Sequence, residues 1–234
     1  MKVGLIGYGK MGKAIEEILV ERGHEVVLKI SHTPTTEELN DVEVAIEFSR
    51  PEYAFENLKV LLQSNIPTIC GTTGWLEQQE EINQLAIDNN TAFLYASNFS
   101  LGVNLFFELN QQLARMMNKY RAEYNIHLEE IHHTQKLDAP SGTAITIAEG
   151  IMDQSSYDKW SMEEQGETII PIEAKRIENV PGTHIVQYNS VVDTIEISHT
   201  AHSRKGFALG AVIAAEWIAD KKGIFTMKDV LELN

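Results

Sequence analysis

Short apolar runs alternate with stretches of helical spacing along the N-terminal part of this chain. Val3 to Ile6 predicts a strand, and Lys10 to Glu21 carries Met11, Ile15, Ile18 and Leu19 at helical intervals. Glu25 to Ile30 predicts a second strand. Val42 to Phe48 predicts a third, followed by a helix near Glu52 to Gln63. Ile66 to Cys70 is a fourth strand, then comes a helix from about Leu76 to Asp88, then a fifth strand from Ala92 to Ala96. Alternating strands and helices of this kind build a parallel sheet covered on both faces, with ligands at the carboxyl ends of the strands.

After Ala96 the pattern changes. Gly102 to Met117 reads as an amphipathic helix with Val103, Phe106, Leu109, Leu113 and Met116 on its core face. Tyr124, Ile126 and Leu128 alternate as in a half-buried strand that leads into His132. Ser141 to Met152 predicts a helix with Ser141 as its N-cap. Thr168 to Ala174, Thr183 to Val192 and Thr194 to Ser198 predict strands of a mixed or antiparallel sheet. Phe207 to Ala219 and Thr226 to Leu233 predict helices that return to the first sheet. The expected fold is α/β. A Rossmann-type parallel sheet over 1–98 is completed by C-terminal helices at about 206–234, and a smaller α+β domain with a mixed sheet occupies 99–205.

Composition narrows the partners. The 234 residues allow one large domain or two small ones, and 43% hydrophobic with 23% charged residues is ordinary for a globular chain. A formal net charge of -15 disfavours nucleic acid and anionic membrane, because both polyanions need basic faces. The single cysteine, Cys70, excludes an internal disulfide and reads as a small buried residue rather than a nucleophile. The N-terminus runs straight into a strand, and the longest apolar run, Ala208 to Ala215, is too short to span a bilayer. A cytoplasmic location is the expectation.

Gly7-Tyr8-Gly9-Lys10-Met11-Gly12 follows the first strand and opens the first helix. Gly7 permits the tight turn, Gly9 lets a pyrophosphate approach the backbone, and Gly12 lets helix and strand pack closely. Glycines also punctuate ordinary turns, so the strand before and the helix after carry the nucleotide reading. The acidic residue that usually reads a ribose 2′-hydroxyl is missing from Leu28-Lys29-Ile30-Ser31-His32-Thr33-Pro34. Lys29, Ser31, His32 and Thr33 are candidate contacts to a 2′-phosphate, or simply solvated loop residues. The expectation leans to NADPH, with NADH also open. Gly71, Thr72 and Thr73 close the fourth strand, and Ala96, Ser97, Asn98 and Phe99 close the fifth. Their amides and the Asn98 side chain are candidates for holding the nicotinamide half, with Phe99 over the ring. Helix capping by Thr73 and Ser100 is the alternative.

The segment Glu130-Ile131-His132-His133-Thr134-Gln135-Lys136-Leu137-Asp138-Ala139-Pro140-Ser141-Gly142-Thr143 places two imidazoles and an amine in an acidic chain. A lone His-His pair is more often a polar strand end. Metal binding is not expected, because no further Cys or His stands at ligand spacing and Lys136 is a poor neighbour for a cation. Acid–base chemistry fits better, since histidine titrates near neutrality and Lys136 can pair with a carboxylate or donate a proton. The amides of Gly142 and Thr143 at a helix start are a second anion seat. These residues point to a nicotinamide-dependent reductase of a small anionic substrate with two carboxylates.

The same segment closely resembles the E-x-H-H-x-x-K-x-D-A-P-S-G-T-A signature of the 4-hydroxy-tetrahydrodipicolinate reductase family, formerly called dihydrodipicolinate reductase. Ile46 to Pro51, Gly71 to Gly74, Ser97 to Ser100, Val180 to His184, Ile197 to His199 with Ser203-Arg204, and Gly223 to Leu231 resemble its other motifs. The resemblance implies NAD(P)H-dependent reduction in the diaminopimelate route to lysine, and usually a homotetramer formed through the second domain. It implies that His132 is the proton donor and acceptor, that Lys136 is a second proton donor, and that His133, Ser141, Gly142, Thr143 and Arg204 contact the cyclic dicarboxylate. It further implies that Gly7 to Gly12, Gly71 to Thr73 and Ala96 to Phe99 form the dinucleotide site. The glycine loop is one residue shorter than the frequent family form, which bears on cofactor preference. The rival readings are a different two-domain reductase and a nucleotide sensor without turnover.

Overall fold

The computed structural model describes residues 1–203 and 205–233. The chain divides into two compact units, Met1–Asn104 with Lys205–Asn234, and Leu105–Arg204. No helix among the described residues is long and apolar enough to cross a membrane.

The first unit is built on six parallel strands. They are β1 (Lys2–Ile6), β2 (Glu25–Ile30), β3 (Val44–Glu47), β4 (Thr68–Cys70), β5 (Ala92–Tyr95) and β11 (Gly223–Phe225), and their spatial order is β11-β5-β4-β3-β1-β2. Helices α1 (Lys10–Glu21), α2 (Pro51–Gln63) and α3 (Gln79–Asp88) connect them. β1 and β3 are neighbours, while the chain runs from β1 to β2 on one side and from β3 to β5 on the other. The order therefore reverses between β1 and β3, the place where open α/β sheets bind ligands. Val3, Leu5, Val44, Ile46 and Ile69 pack with Ile15 and Leu19 of α1 and with Ala208, Ala211, Val212 and Ala215 of α6 (Lys205–Ile218). The small alanine face of α6 allows close approach. A Cβ at Gly210 would stand 1.7 Å from the Phe99 carbonyl. The helix predicted over 226–233 is shorter, α7 (Met227–Val230), and it follows β11, a strand that the apolar pattern does not predict.

The second unit carries a mixed sheet in the order β10-β9-β6-β8-β7, from β6 (Asn125–His132), β7 (Lys159–Ser161), β8 (Ile169–Arg176), β9 (Gly182–Asn189) and β10 (Thr194–Ala201). β6 pairs parallel with β8 and antiparallel with β9, and β9 pairs antiparallel with β10. One sheet face (Ile126, Leu128, Ile172, Val186 and Tyr188) packs against Ile147, Ala148 and Ile151 of α5 (Gly142–Asp153) and against Phe106, Leu113, Ala114 and Met117 of α4 (Leu101–Met117). This corrects the predicted face of α4: Leu109 and Met116 are 49% and 59% exposed, while Asn110 is fully buried. Asn110 occupies the core because its Nδ2 donates to the Ile147 carbonyl at 3.0 Å, so a polar residue sits where the apolar pattern expects leucine. The strand expected to run to Val192 ends at Asn189. Ser190 to Asp193 form the turn into β10, with Ser190 N donating to the Asp193 carbonyl.

Candidate active site

In the first unit the turn after β1 has the shape its glycines require. Gly7 has φ +97°, and a Cβ there would stand 2.0 Å from the Phe48 carbonyl. A Cβ at Gly12 would stand 2.4 Å from the Gly7 carbonyl, so α1 packs against the turn only without one. Gly9, the N-cap of α1, has nothing within 4 Å of a built Cβ. Open space at Gly9 beside a helix start fits a pyrophosphate. A cavity of about 580 Å³ lies here, walled by Gly7, Tyr8, Gly9, Lys10, Met11, Ser31, Phe48, Ser49, Arg50 and Tyr53. A second hollow of about 220 Å³ brings Met11 and Phe48 together with Gly71, Thr72 and Thr73. The residues present therefore fit a dinucleotide.

Glu47 holds these strand ends together. Its buried carboxylate accepts from Ser49 N at 3.2 Å, Asn57 Nδ2 at 3.3 Å and the Cys70 thiol at 3.2 Å, and Ser49 N also donates to Thr72 Oγ1 at 2.8 Å. Burial, and then the Glu47 charge, push the Cys70 thiol well up, so it is an inert buried donor. Lys29 is 2.9 Å from Glu16 Oε1, and the Tyr8 hydroxyl donates to the same carboxylate. His32 is 3.1 Å from Glu38 Oε1. Both cations offered to a 2′-phosphate thus already face carboxylates, and Ser31 alone of that segment lines the cavity.

At the fifth strand end, two expectations are corrected. Phe99 is 2% exposed and its ring packs 5.5 Å from that of Phe48, so it is core under the strand ends rather than a cover for a ligand ring. Thr73 caps nothing, because the following 3-10 turn begins at Leu76, after Trp75. Ser100 does cap α4: its Oγ accepts from Val103 N at 3.4 Å. The Asn98 Oδ1 accepts from Ser100 N at 2.9 Å, which turns that side chain toward its own backbone. Ala96 is half-buried, and Ser97 is exposed.

In the second unit, strand alternation puts Ile126, Leu128, Glu130 and His132 on one buried face. Glu130 is fully buried, and its carboxylate has four neighbours. Ser141 N donates to Oε2 at 3.1 Å, and Arg176 Nη2 lies 3.2 Å from Oε1. His132 Nδ1 stands 3.3 Å and His184 Nε2 3.9 Å from Oε2. His132 Nδ1 is buried and falls short of hydrogen-bond geometry, so the Glu130–His132 contact is electrostatic as it stands. Burial works against ionisation of Glu130, but the His132 ring and the Ser141 donor outweigh it and hold the carboxyl down at about 2. Burial, and then the His132 ring 5.2 Å away, lower His184 to about 4, so it is neutral near pH 7. His184 Nε2 is 3.2 Å from Ser141 Oγ, which also caps α5 by accepting from Ala144 N. A Cβ at Gly182 would come 3.0 Å from His132 Nε2, so glycine keeps room beside that nitrogen.

The segment 133–140 loops out from this base. Lys136 Nζ is 2.7 Å from Asp138 Oδ2, and Arg176 reaches the Lys136 carbonyl at 3.3 Å and the Asp138 carbonyl at 2.7 Å. His133 is half-buried, with Nδ1 unpaired. Gly142 and Thr143 open α5 as its first two residues, where backbone amides have no partner within the helix. The Glu130 carboxylate therefore gathers His132, His184, Arg176 and the Ser141 amide; Arg176 ties in the Lys136 loop, and Gly142 and Thr143 follow Ser141 at the start of α5. Arg204 lies outside the described residues. Glu130, His132 and His184 each offer a ligand atom within 4.8 Å of the others, a grouping that sequence spacing does not disclose. The Arg176 guanidinium on the same carboxylate already supplies the positive charge a metal ion would bring.

The family models described as the N-terminus and the C-terminus of dihydrodipicolinate reductase match residues 1–99 and 102–231. The chain belongs to the dihydrodipicolinate reductase family. It is 55% identical over 234 residues, 99% of this chain and 98% of the relative, to the 4-hydroxy-tetrahydrodipicolinate reductase of Christiangramia forsetii. Among solved structures it resembles the dipicolinate-bound dihydrodipicolinate reductase of Paenisporosarcina sp. TG-14, with a TM-score of 0.75, 22% identity and 97% of each chain covered. It also resembles an engineered D-amino acid dehydrogenase bound to NADP+, with a TM-score of 0.53, 15% identity, and 100% of this chain and 96% of that one covered. These two likenesses bear on the fold alone. Glu130 opens the His-His segment, His184 ends the separate Val180–His184 segment, and Arg176 lies outside every motif. Their signal was a carboxylate on the apolar face of an alternating strand, which needs buried partners.

Proposed function

We propose that this chain is a 4-hydroxy-tetrahydrodipicolinate reductase that works with NADH or NADPH in the diaminopimelate route to lysine. The observation that carries the reading is the second-unit cluster: a histidine and a helix start at one buried carboxylate, with the loop of Lys136 tied to it through Arg176. The 55% identical relative of that name supports it. Gly7 to Gly12, Gly71 to Thr73, Ser49 and Arg50 are the residues that would hold the dinucleotide. When bound, the nicotinamide cofactor supplies the hydride.

The chain's own residues supply the rest. Lys136 exchanges Asp138 for a substrate carboxylate. The amides of Gly142 and Thr143 donate to carboxylate oxygens at the positive end of α5. His133 and Ser141 line the same seat. His132, with Nδ1 turned to Glu130, takes up and gives the transferable proton at Nε2. A positioned acid of this kind contributes typically ~10²–10⁴-fold. The carboxylates on Lys29 and His32 remove the charge basis for an NADPH preference, so we propose that both cofactors serve. The second unit also leaves Ile131 and Ile185 on the sheet face opposite α4 and α5, and we propose homotetramer assembly through that face, in the cytoplasm.

The test is oxidation of NADH and NADPH, in parallel, with enzymatically generated 4-hydroxy-tetrahydrodipicolinate. Turnover with both is expected. Cofactor binding without turnover overturns the reading and favours a sensor. Light scattering on the eluting protein checks the tetramer, and a monomeric mass refutes it.

A further inference from the structure

We propose that Glu130 is the positioning residue of the second-unit site, fixing the His132 ring, the Lys136 loop and the Ser141 helix start through one buried carboxylate. The assignment of a task to His132 rests on the reductase reading; the geometry does not. Oε2 takes the Ser141 amide at 3.1 Å and faces His132 Nδ1 at 3.3 Å. Oε1 takes Arg176, whose guanidinium extends to the carbonyls of Lys136 and Asp138. His132 Nδ1 is buried and makes no hydrogen bond among the described residues, and the Glu130 carboxylate stands 3.3 Å from it. Among the described residues, the charged and titratable groups tied to this carboxylate and its loop are His184 on β9, which faces the His132 ring, Arg176 on β8, and Lys136 with Asp138 in the loop.

Three consequences follow from the chemistry of a buried anion. An imidazole beside a carboxylate keeps its proton on the nitrogen facing that carboxylate, so neutral His132 is the Nδ1–H tautomer and Nε2 is the working atom. A carboxylate accepting the Ser141 amide sets the first residue of the cap, and so the direction of the Gly142 and Thr143 amides. A planar guanidinium held on Oε1 can reach two loop carbonyls at fixed spacing, a task for which a lysine ammonium lacks the geometry. His184 completes the set as a neutral ring against Ser141 Oγ.

The experiment uses the full chain with Glu130→Gln, Arg176→Lys and wild type. Ring ¹⁵N shifts of His132 are read by NMR, beside kcat, substrate KM, cofactor affinity by fluorescence, and melting temperature. Wild type is expected to show the Nδ1–H tautomer. Glu130→Gln is expected to lose it and to drop kcat at least ~10-fold, the lower end for loss of a group that orients an imidazole. Cofactor affinity should stay within about twofold, because the cavity residues of the first unit are untouched. Arg176→Lys should keep the tautomer and raise substrate KM. A wild-type Nε2–H tautomer, an unchanged kcat in Glu130→Gln, or a kcat loss matched by lost cofactor binding overturns the proposal. Should Glu130→Gln fail to fold, the wild-type tautomer and the Arg176→Lys KM decide. A wild type without reductase turnover refutes the functional reading instead, and the tautomer still reports on Glu130.

Discussion

The cavity of the first unit and the cluster of the second solve the same problem, holding an anion, by different means. The cavity is mostly backbone: Gly7, Gly9 and Gly12 shape a turn and leave a helix start bare, with Lys10 and Arg50 at its wall. The cluster is mostly side chain, drawn from β6, β8, β9, α5 and the loop before α5. The first is a steric construction, and an added methyl group would close it. The second is an electrostatic construction, in which a buried carboxylate held at about 2 is balanced by Arg176 and faced by His132 and His184. The difference teaches where each is fragile: bulk damages the cavity, and charge damages the cluster.

The largest separation should come from His132→Ala. It is expected to lower kcat at least ~10²-fold with nicotinamide affinity retained. Steady-state kinetics beside a fluorescence titration measures both, and an unchanged kcat removes His132 from the chemistry. Gly7→Ala should do the reverse. A Cβ 2.0 Å from the Phe48 carbonyl, at φ +97°, costs on the order of 1–3 kcal/mol and closes the cofactor turn. Cofactor affinity and melting temperature should fall together, while the ring shifts of His132 stay put. Cofactor affinity equal to wild type would mean that the turn is not the binding element.

Acid should separate the units next. His184 is held to about 4 against an ordinary 6.5, so the unfolded chain takes up a proton that the folded one refuses. Its neutral state is present in both forms above pH 6.5, and stability is lost as pH falls from 6.5 toward 4, at up to about 1.4 kcal/mol per pH unit. Glu130, lowered from 4.5 to about 2, has the opposite chemistry and a lower window: its contribution is full above 4.5 and is lost as pH falls toward 2. Melting curves of wild type and His184→Gln across pH 7 to 4 should diverge in slope; parallel curves would show that His184 protonates freely. The smallest effect is expected from Glu16→Gln. Freeing Lys29 and Tyr8 should shift the NADPH-to-NADH affinity ratio by about 2- to 5-fold toward NADPH, the scale of one exposed ion pair. No shift would place Lys29 outside the 2′-phosphate's reach.

The parallel sheet, its glycine turn and the mixed second sheet were legible because each is a local pattern. A run of four apolar residues bounded by turns declares a strand, and G-x-G-x-x-G between strand and helix declares its own geometry. Misreadings arose where a long-range partner overrode local preference. Asn110 took a core position from leucine by bonding to the Ile147 carbonyl. Phe99, at a strand end suited to ligand contact, was drawn under Phe48. For Lys29 and His32, open in the sequence between 2′-phosphate contacts and solvated loop residues, the fold adds the carboxylates of Glu16 and Glu38 as neighbours.

What the sequence determined by itself is the set of elements and the chemistry available: two sheets, a bare helix start, and a stretch holding histidines, a lysine and a Ser-Gly-Thr turn. What only the tertiary structure decided is who faces whom. Glu130 became the centre of the second-unit cluster because β8 and β9 flank β6 and deliver Arg176 and His184 to its buried carboxylate. Periodicity shows which residues a strand buries. The partners that satisfy a buried charge come from strand order and register, which are properties of the assembled sheet.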